Sequence, residues 1–157
     1  MPGPKVDLAP PLNGAAGAAE FWRGWDEFQT AIRRIRGRDA REAHGALTIS
    51  QYQLLCAAER NPSAGLREIA DEVGSSAPTV TRMLTALEQR GVINRQPSTR
   101  GQNRVCVSLT DLGKQLLAEK RAVLDTKRAA VYASLTPEER AMAQRMLPRL
   151  AEALDAL

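Results

Sequence analysis

A chain of 157 residues, 43% of them apolar, is long enough to bury one sizeable core and too short for two full domains. Its two cysteines and single histidine exclude a disulfide framework and a clustered zinc site, so we expect no metal and no cofactor. No stretch approaches the ~18 apolar residues of a membrane span and none resembles a secretion signal, so we expect a cytoplasmic protein.

The excess positive charge, +4 for the whole chain, lies in one segment. Between Gly74 and Leu109 the sequence has five arginines and a single acid, Glu88, and in the rest of the chain the basic and acidic residues cancel. A local concentration of arginine indicates an anionic partner more strongly than the total charge does.

The first residues, 1–19, are rich in proline, glycine and alanine and offer few side chains to bury, so they predict a flexible arm. From Glu20 to about Gly37 the sequence predicts a helix. Its large apolar residues recur at spacings of three and four and form one stripe: Phe21, Trp25, Phe28, Ile32 and Ile35. This stripe belongs either to the core of the domain or to a contact with a second subunit.

A second, shorter helix is predicted from "LTISQYQLLCAAERNP", with Ser50 as its N-cap and an end before Pro62. Its inward side chains are Tyr52, Leu55 and Ala58. The segment "LREIADEVG" follows and is too short to be stable as a helix alone, so we expect it to pack on a neighbour.

The next helix comes from "SSAPTVTRMLTALEQRG". Ser76 is its expected N-cap, Pro78 lies in its first turn and Gly91 ends it. Its apolar face consists of Val80, Met83, Leu84 and Leu87. The β-prone runs "VINRQP" and "RVCVSL", joined by "STRGQN", then predict a hairpin with a basic tip.

The remaining third is predicted to be helical. Thr110 caps a helix to about Ala133 with two apolar edges, one of Leu112, Leu116 and Val123 and the other of Leu117, Leu124 and Val131. "TPEE" reads as a capping box that starts a last helix at Thr136. Leucines continue along this helix at coiled-coil-like spacing, and Pro148 predicts a kink near Gln144.

Two short helices around "EVGSS", with the small Ala70 at their crossing and Gly74 in the turn, have the spacing of a helix-turn-helix. Hydroxyl side chains and an arginine at the start of the second helix suit the DNA major groove, and the hairpin would act as a wing on backbone or minor groove. The predicted DNA-contacting residues are Ser75, Ser76, Thr79, Thr81, Arg82, Thr85, Arg95, Arg100, Gln102, Asn103 and Arg104.

The run from "LTISQYQLL" through "LREIADEVGSSAPTVTRMLTALEQRGVINR" to "VSLTDLG" resembles the MarR family of winged-helix transcriptional regulators. The resemblance implies a mainly α fold with a small β-hairpin wing. It divides the chain into an arm, residues 1–19, and one domain, residues 20–157, in which a winged-helix lobe at 48–109 lies between dimerisation helices at 20–37 and 110–157.

The resemblance also implies a function: a homodimeric repressor on a pseudo-palindromic operator in double-stranded DNA, released by a small aromatic molecule. Candidate ligand-binding residues are Trp22, Trp25, His44 and Tyr52. The wing departs from the family pattern, because Gly101, Gln102 and Asn103 stand where Asp, any residue and Arg are common. Either Arg100 or Arg104 then becomes the wing arginine that reaches DNA.

Other functions are weighed against this one. No nucleophile motif, phosphate loop or metal pair occurs, so we do not expect an enzyme. A winged-helix adaptor that binds protein and has little specific affinity for DNA is the alternative. Cys56 and Cys106 are interpreted as unreactive thiols, because the sequence fixes no basic residue beside Cys56.

Overall fold

The computed structural model describes residues 15–61, 64–97 and 105–156. Within them the chain forms six helices and one two-stranded sheet, which confirms the predicted mainly α fold with a β-hairpin. The elements are α1 (Ala15–Glu42), α2 (Ile49–Arg60), α3 (Leu66–Glu72), α4 (Ala77–Gln89), β1 (Ile93–Pro97), β2 (Val105–Leu109), α5 (Asp111–Ala133) and α6 (Pro137–Asp155). The chain divides into two compact units, residues 1–49 and residues 50–157.

Helix α1 dominates the first unit and is longer than predicted at both ends. It begins at Ala15, so residues 15–19 are not part of an arm, and it continues past Gly37 to Glu42. The run "AAGAAE" explains the early start, since alanine has the highest helix propensity of all residues. The aromatic stripe lies largely in solvent in a single chain, and Phe28 is 53% exposed.

The start of α2 is set by an acid from α1 and not by Ser50. The buried Asp39 accepts a hydrogen bond from the Ile49 backbone N–H, with 2.6 Å between Oδ2 and N. A helix leaves its first N–H groups without helical partners, and this carboxylate satisfies one of them. Ser50 therefore lies inside the helix, and its prediction as N-cap was wrong.

The core of the second unit is formed mainly by α2, α3, α4 and the base of the hairpin. Tyr52, Leu55 and Ala58 are buried, as predicted. The largest fully buried side chains of these elements are Leu54, Leu55, Ile69, Val80, Leu84, Leu87, Val92 and Ile93. Helix α3 packs on α4, α4 packs on β1, and β2 packs on α5, so one apolar core joins the helices to the hairpin.

The turn between α3 and α4 has the predicted helix-turn-helix geometry. Gly74 adopts a φ of 62°, a left-handed conformation that favours glycine. The Ser75 N–H donates to the Ala70 carbonyl at 2.9 Å, and Ala70 is buried where the two helices meet. At the start of α3 the Glu68 carboxylate accepts from the Gly65 N–H at 2.9 Å, which replaces the capping hydroxyl that the sequence lacks.

The hairpin is antiparallel, with Ile93 opposite Leu109 and Pro97 opposite Val105. Ile93 is buried, whereas the side chains of Asn94 and Gln96 are exposed, so one face of β1 covers the core. The connecting tip, residues 98–104, lies outside the described part of the chain.

A close junction joins the hairpin base to α5. The Val92 carbonyl accepts from the Thr110 N–H at 3.1 Å, and the Thr110 hydroxyl accepts from the Gly113 N–H at 3.1 Å as the predicted cap. A Cβ added to Gly113 would lie 2.1 Å from the Val92 carbonyl oxygen. Only glycine fits there, which is the physical reason for the glycine in "LTDLG".

The last two helices also begin as predicted. Thr136 and Glu139 form the capping box of α6, with 2.8 Å between the Thr136 nitrogen and the Glu139 carboxylate. No residue of α6 is buried, and α6 is helical on both sides of Pro148. The predicted kink near Gln144 stays a prediction. None of the helices in the described ranges is both long and apolar enough to cross a membrane.

Candidate nucleic-acid interface

The first turn of α4 is held by its own side chains. The Ser76 oxygen accepts from the Thr79 N–H at 3.4 Å, and the two hydroxyl oxygens of Ser76 and Thr79 are 2.9 Å apart. Pro78 has no N–H, and the Val80 N–H donates to the Ser76 carbonyl at 3.0 Å. This turn therefore offers an anion the Ala77 N–H and the positive end of the helix dipole. The start of α4 is therefore suited to a phosphate group.

The outward face of α4 is polar and lies opposite its buried face. Val80, Leu84 and Leu87 are buried, as predicted, and Met83 is only half-buried. Thr81 and Arg82 are exposed between them. The exposed face thus carries hydrogen-bonding groups on a helix whose orientation is fixed by the core.

The threonines of this face have defined hydrogen-bonding roles. The Thr81 hydroxyl donates to the Ala77 carbonyl at 2.9 Å, and the Thr85 hydroxyl donates to the Thr81 carbonyl at 3.0 Å. Each hydroxyl has one proton, so Thr81 presents lone pairs to solvent. It can then accept from an exocyclic amino group of adenine or cytosine, while Arg82 can donate to guanine.

Arg95, grouped with the DNA-contacting residues above, is engaged inside the fold. Its Nε lies 2.7 Å from the Glu88 carboxylate and its Nη2 lies 3.2 Å from the Thr85 hydroxyl, and only 23% of its side chain is exposed. The guanidinium thus ties β1 to α4. Glu88, the single acid of the basic segment, is neutralised by this contact.

The predicted contacts of the wing tip cannot be placed. Arg100, Gln102, Asn103 and Arg104 all fall in residues 98–104, outside the described residues. Ser75 and Thr79 are half-buried, so the residues of the predicted set that the structure exposes most are Ser76, Thr81 and Arg82.

The candidate ligand-binding residues belong to both units. Trp22 and Trp25 lie on α1 with Phe21, whose ring centroid is 5.1 Å from that of Trp22 and 6.4 Å from that of Trp25. His44 is exposed, with Nδ1 3.2 Å from the Glu42 carbonyl oxygen. Tyr52 is buried in the second unit.

A contact that the sequence did not indicate joins α5 to α2. The Arg121 guanidinium hydrogen-bonds to the hydroxyl of Tyr52 and the thiol of Cys56, and these bonds raise the pKa of Arg121 above its usual value. It also lies 3.4 Å from the Glu59 carboxylate. Cys56 therefore has a basic neighbour in the fold that the sequence did not show, and its interpretation as an unreactive thiol stays a prediction. The side chain of Cys106 lies outside the described set.

A helix-turn-helix whose second helix leads into an antiparallel hairpin is a winged-helix fold, an arrangement that many DNA-binding proteins use. The family model described as the MarR family matches residues 47–102, which contain α2, α3, α4 and β1. One curated relative is the HTH-type transcriptional regulator FarR of Neisseria gonorrhoeae, 27% identical over 111 residues that cover 71% of this chain and 76% of FarR.

Solved structures agree with this class. The MarR family transcription regulator SP03579 superposes with a TM-score of 0.77 at 15% identity, covering 91% of this chain and 95% of that one. The MepR–DNA complex of Staphylococcus aureus gives a TM-score of 0.66 at 21% identity, covering 81% of this chain and 93% of MepR. These matches confirm the predicted resemblance: the chain is similar to MarR-family transcription regulators in fold, and its residues 47–102 match the model of that family.

Proposed function

We propose that this regulator is a homodimeric repressor that binds a pseudo-palindromic operator through the outward face of α4. The observation that carries the proposal is the exposure of Thr81 and Arg82 on a helix whose opposite face, with Val80 and Leu84, is fully buried. Such a helix is rigid enough to present fixed donors and acceptors to base edges. MepR, which has the same fold, was solved in complex with DNA. A protein of this function works in the cytoplasm.

Each part of the lobe has a separate role in this proposal. Thr81 and Arg82 lie in the major groove and discriminate between bases, while Ser76 and the helix N-terminus contact phosphate. Arg100 and Arg104 of the wing contact phosphates or a narrow minor groove, with Gln102 and Asn103 beside them. Arg95 holds the wing and α4 at a fixed angle through Glu88 and Thr85.

The dimer is proposed from the apolar faces that one chain leaves in solvent. Phe28 on α1, Val131 on α5 and Leu147 on α6 are all more than half exposed. Exposed apolar stripes on three long helices favour burial against a second copy of the same chain. Light scattering tests this: we expect twice the chain mass at micromolar concentration, and a monomer that still binds an operator specifically would contradict the dimer.

The DNA-binding proposal is tested with a sequence selected by the protein from a random pool and a scrambled duplex of equal length. Arg82→Ala or Thr81→Ala should weaken binding to the selected sequence, because removing a base contact costs about 1 to 3 kcal/mol of discrimination. Arg100→Ala or Arg104→Ala should weaken both duplexes evenly and lower the salt slope by about one unit for each phosphate that the variant no longer binds.

Lys127→Ala, an exposed lysine of α5, is the control for the removal of one positive charge. If the parent binds both duplexes weakly and all four variants behave like the parent, the repressor proposal fails and a protein-binding adaptor takes its place.

We further propose that a small aromatic molecule releases the operator by binding near Trp22, Trp25 and His44 of the first unit. The two exposed or half-buried indoles of α1 offer flat apolar surface for such a ring. A coupling of about 1 to 3 kcal/mol between ligand and DNA would be typical of an allosteric regulator. A panel of aromatic acids that changes neither melting temperature nor operator affinity would rule this effector out.

A further inference from the structure

Helix α1 has two opposed faces. At about 100° per residue, the aromatic stripe falls on one side of the helix and a set of arginines falls on the other. Arg33, Arg34, Arg38 and Arg41 are all exposed, and they surround Gly37. We call these four arginines the arginine face. A partner that covers the aromatic stripe would leave the arginine face in solvent.

The arginine face forms a shallow groove lined by side chains from three successive turns. Gly37 has no side chain to fill the middle of it, and the Arg41 guanidinium lies 3.9 Å from the position that a Cβ on Gly37 would take. Arg33 donates from Nη2 to the Thr30 hydroxyl at 2.7 Å, which fixes one edge of the groove.

Carboxylates in the described residues do not neutralise this charge. Asp39 lies on the aromatic side of α1, where it accepts from the Ile49 N–H. Asp26 and Glu27 lie one turn before Thr30, and no ion pair joins a described carboxylate to any of the four arginines. Like charges at i, i+4 on a helix repel each other, so Arg34 and Arg38 are stabilised when an anion lies between them.

We propose that the arginine face is a second phosphate-binding surface of this regulator, separate from the helix-turn-helix and wing, and that it contacts the DNA backbone. The inference rests on the proposed DNA-binding function. Guanidinium groups match phosphate geometry with paired N–H donors. From Arg34 to Arg41 the face extends about 10 Å along the helix, a length over which duplex DNA carries about six phosphates.

The composition of the face favours DNA over other anionic partners. Its lining consists of arginines, Thr30 and Gly37, without a large apolar side chain. A helix that binds a membrane surface needs apolar residues beside its basic ones, and in α1 these lie on the opposite side. Protein interfaces also have an apolar centre, whereas nonspecific contacts with DNA depend on charge alone.

The test uses the full chain and the double variant Arg34→Ala/Arg38→Ala. The duplexes are the selected and the scrambled sequence, each long enough to extend a helical turn beyond the selected site on both sides. We expect the slope of log affinity against log salt to fall by about two units on both duplexes, because the variant neutralises two fewer phosphates. The ratio of affinities for the two duplexes should stay the same.

Two further double variants serve as controls. Arg36→Ala/Lys127→Ala removes the same charge from exposed positions outside the face and should keep the parental slope. Arg34→Lys/Arg38→Lys keeps the charge and should restore the slope. Far-ultraviolet circular dichroism checks that each variant has the parental helix content.

The outcomes separate this inference from the proposed function. If Arg34→Ala/Arg38→Ala keeps the parental slope and specific binding is intact, only this inference is overturned. The partner of the arginine face would then be an acidic protein. An equal decrease of slope in the control pair also overturns it, since total charge would then explain the effect. A parent that does not distinguish the two duplexes overturns the proposed function, whereas a lower slope on scrambled DNA would still support the arginine face.

Discussion

The winged-helix lobe and helix α6 have similar apolar patterns, but the apolar side chains are buried in the lobe and exposed in α6. In the lobe, Leu84 and Leu87 of α4 are fully buried. In α6, leucines recur at comparable helical spacing, yet none is buried and Leu147 is 55% exposed. The lobe therefore completes its core within one chain, whereas α6 has a face that one chain leaves in solvent. Helical periodicity identifies a face that needs a neighbour, but it does not say which chain supplies that neighbour.

The largest effect that would test this comparison comes from a matched pair of leucines. Leu84→Ala should lower the free energy of unfolding by about 3 kcal/mol, because it leaves a cavity in a closed core. This decrease should be the same at all protein concentrations. Leu147→Ala should instead raise the protein concentration at which the dimer dissociates into monomers, since it weakens association. Urea titration measures the first effect, and light scattering over a dilution series measures the second.

The comparison between the lobe and α6 would be wrong if the two substitutions lowered the free energy of unfolding equally and if neither effect depended on protein concentration. In that case α6 would be supported within its own chain, and the dimer proposal would lose its main support.

The second-largest effect is a loss of stability expected from a substitution at the junction between the hairpin and α5. Gly113→Ala should destabilise the chain by about 2 kcal/mol, because the new methyl group would overlap the Val92 carbonyl and the backbone must shift. Gly24→Ala is the control, since a Cβ at Gly24 meets no atom within 4 Å. It should stabilise α1 by up to about 1 kcal/mol through helix propensity. Thermal melting measures both effects. Gly113→Ala should lower the melting temperature, and Gly24→Ala should raise it.

The caps of α4 and α6 give a smaller effect that separates stability from DNA binding. Ser76→Ala and Thr136→Ala each remove a side-chain cap and should each cost about 1 kcal/mol in stability. Only Ser76→Ala should also weaken binding to the selected duplex, because α4, unlike α6, lies against DNA in our proposal. Calorimetric melting and a binding titration measure the two quantities. Equal affinities for the two variants would argue against α4 as the reading helix.

The smallest effect concerns the ion pair between Arg95 and Glu88. A double-mutant cycle with alanine should give a coupling of about 0.5 kcal/mol, since both side chains remain partly exposed to water. Glu88→Gln should raise the affinity for scrambled DNA at low salt, because it releases a guanidinium and removes a negative charge. A lower affinity would show that the position of Arg95 matters more than its charge.

Local patterns allowed most of the fold to be predicted. The caps at Ser76, Thr110 and Thr136 and the buried side chains of Val80 and Leu84 depend on residues within one helical turn of each other. Such contacts are visible in the sequence because helix geometry brings i+3 and i+4 positions together. The bounds of α4 and α5 followed from the same signals.

Contacts between distant residues could not be predicted in this way. Asp39 caps α2 across a loop, Arg121 reaches back to Tyr52 from another helix, and the Val92 carbonyl excludes a side chain at Gly113. Each depends on how two elements pack, and a sequence pattern does not contain that information. The exposure of Thr81 and Arg82 on the outward side of α4 agrees with the helical pattern, but the engagement of Arg95 by Glu88 and Thr85 required the fold.

The aromatic cluster of α1 also gives the protein an intrinsic fluorescent probe. The chain has two tryptophans, Trp22 and Trp25, and both lie on this helix beside Phe21. Tryptophan emission therefore reports the surroundings of α1 alone, and the winged-helix lobe contributes none of it. Covering the stripe moves the indoles from water into an apolar environment, which shifts emission to shorter wavelengths, while unfolding of the lobe is followed separately by circular dichroism. Association and unfolding can thus be resolved in one unlabelled sample.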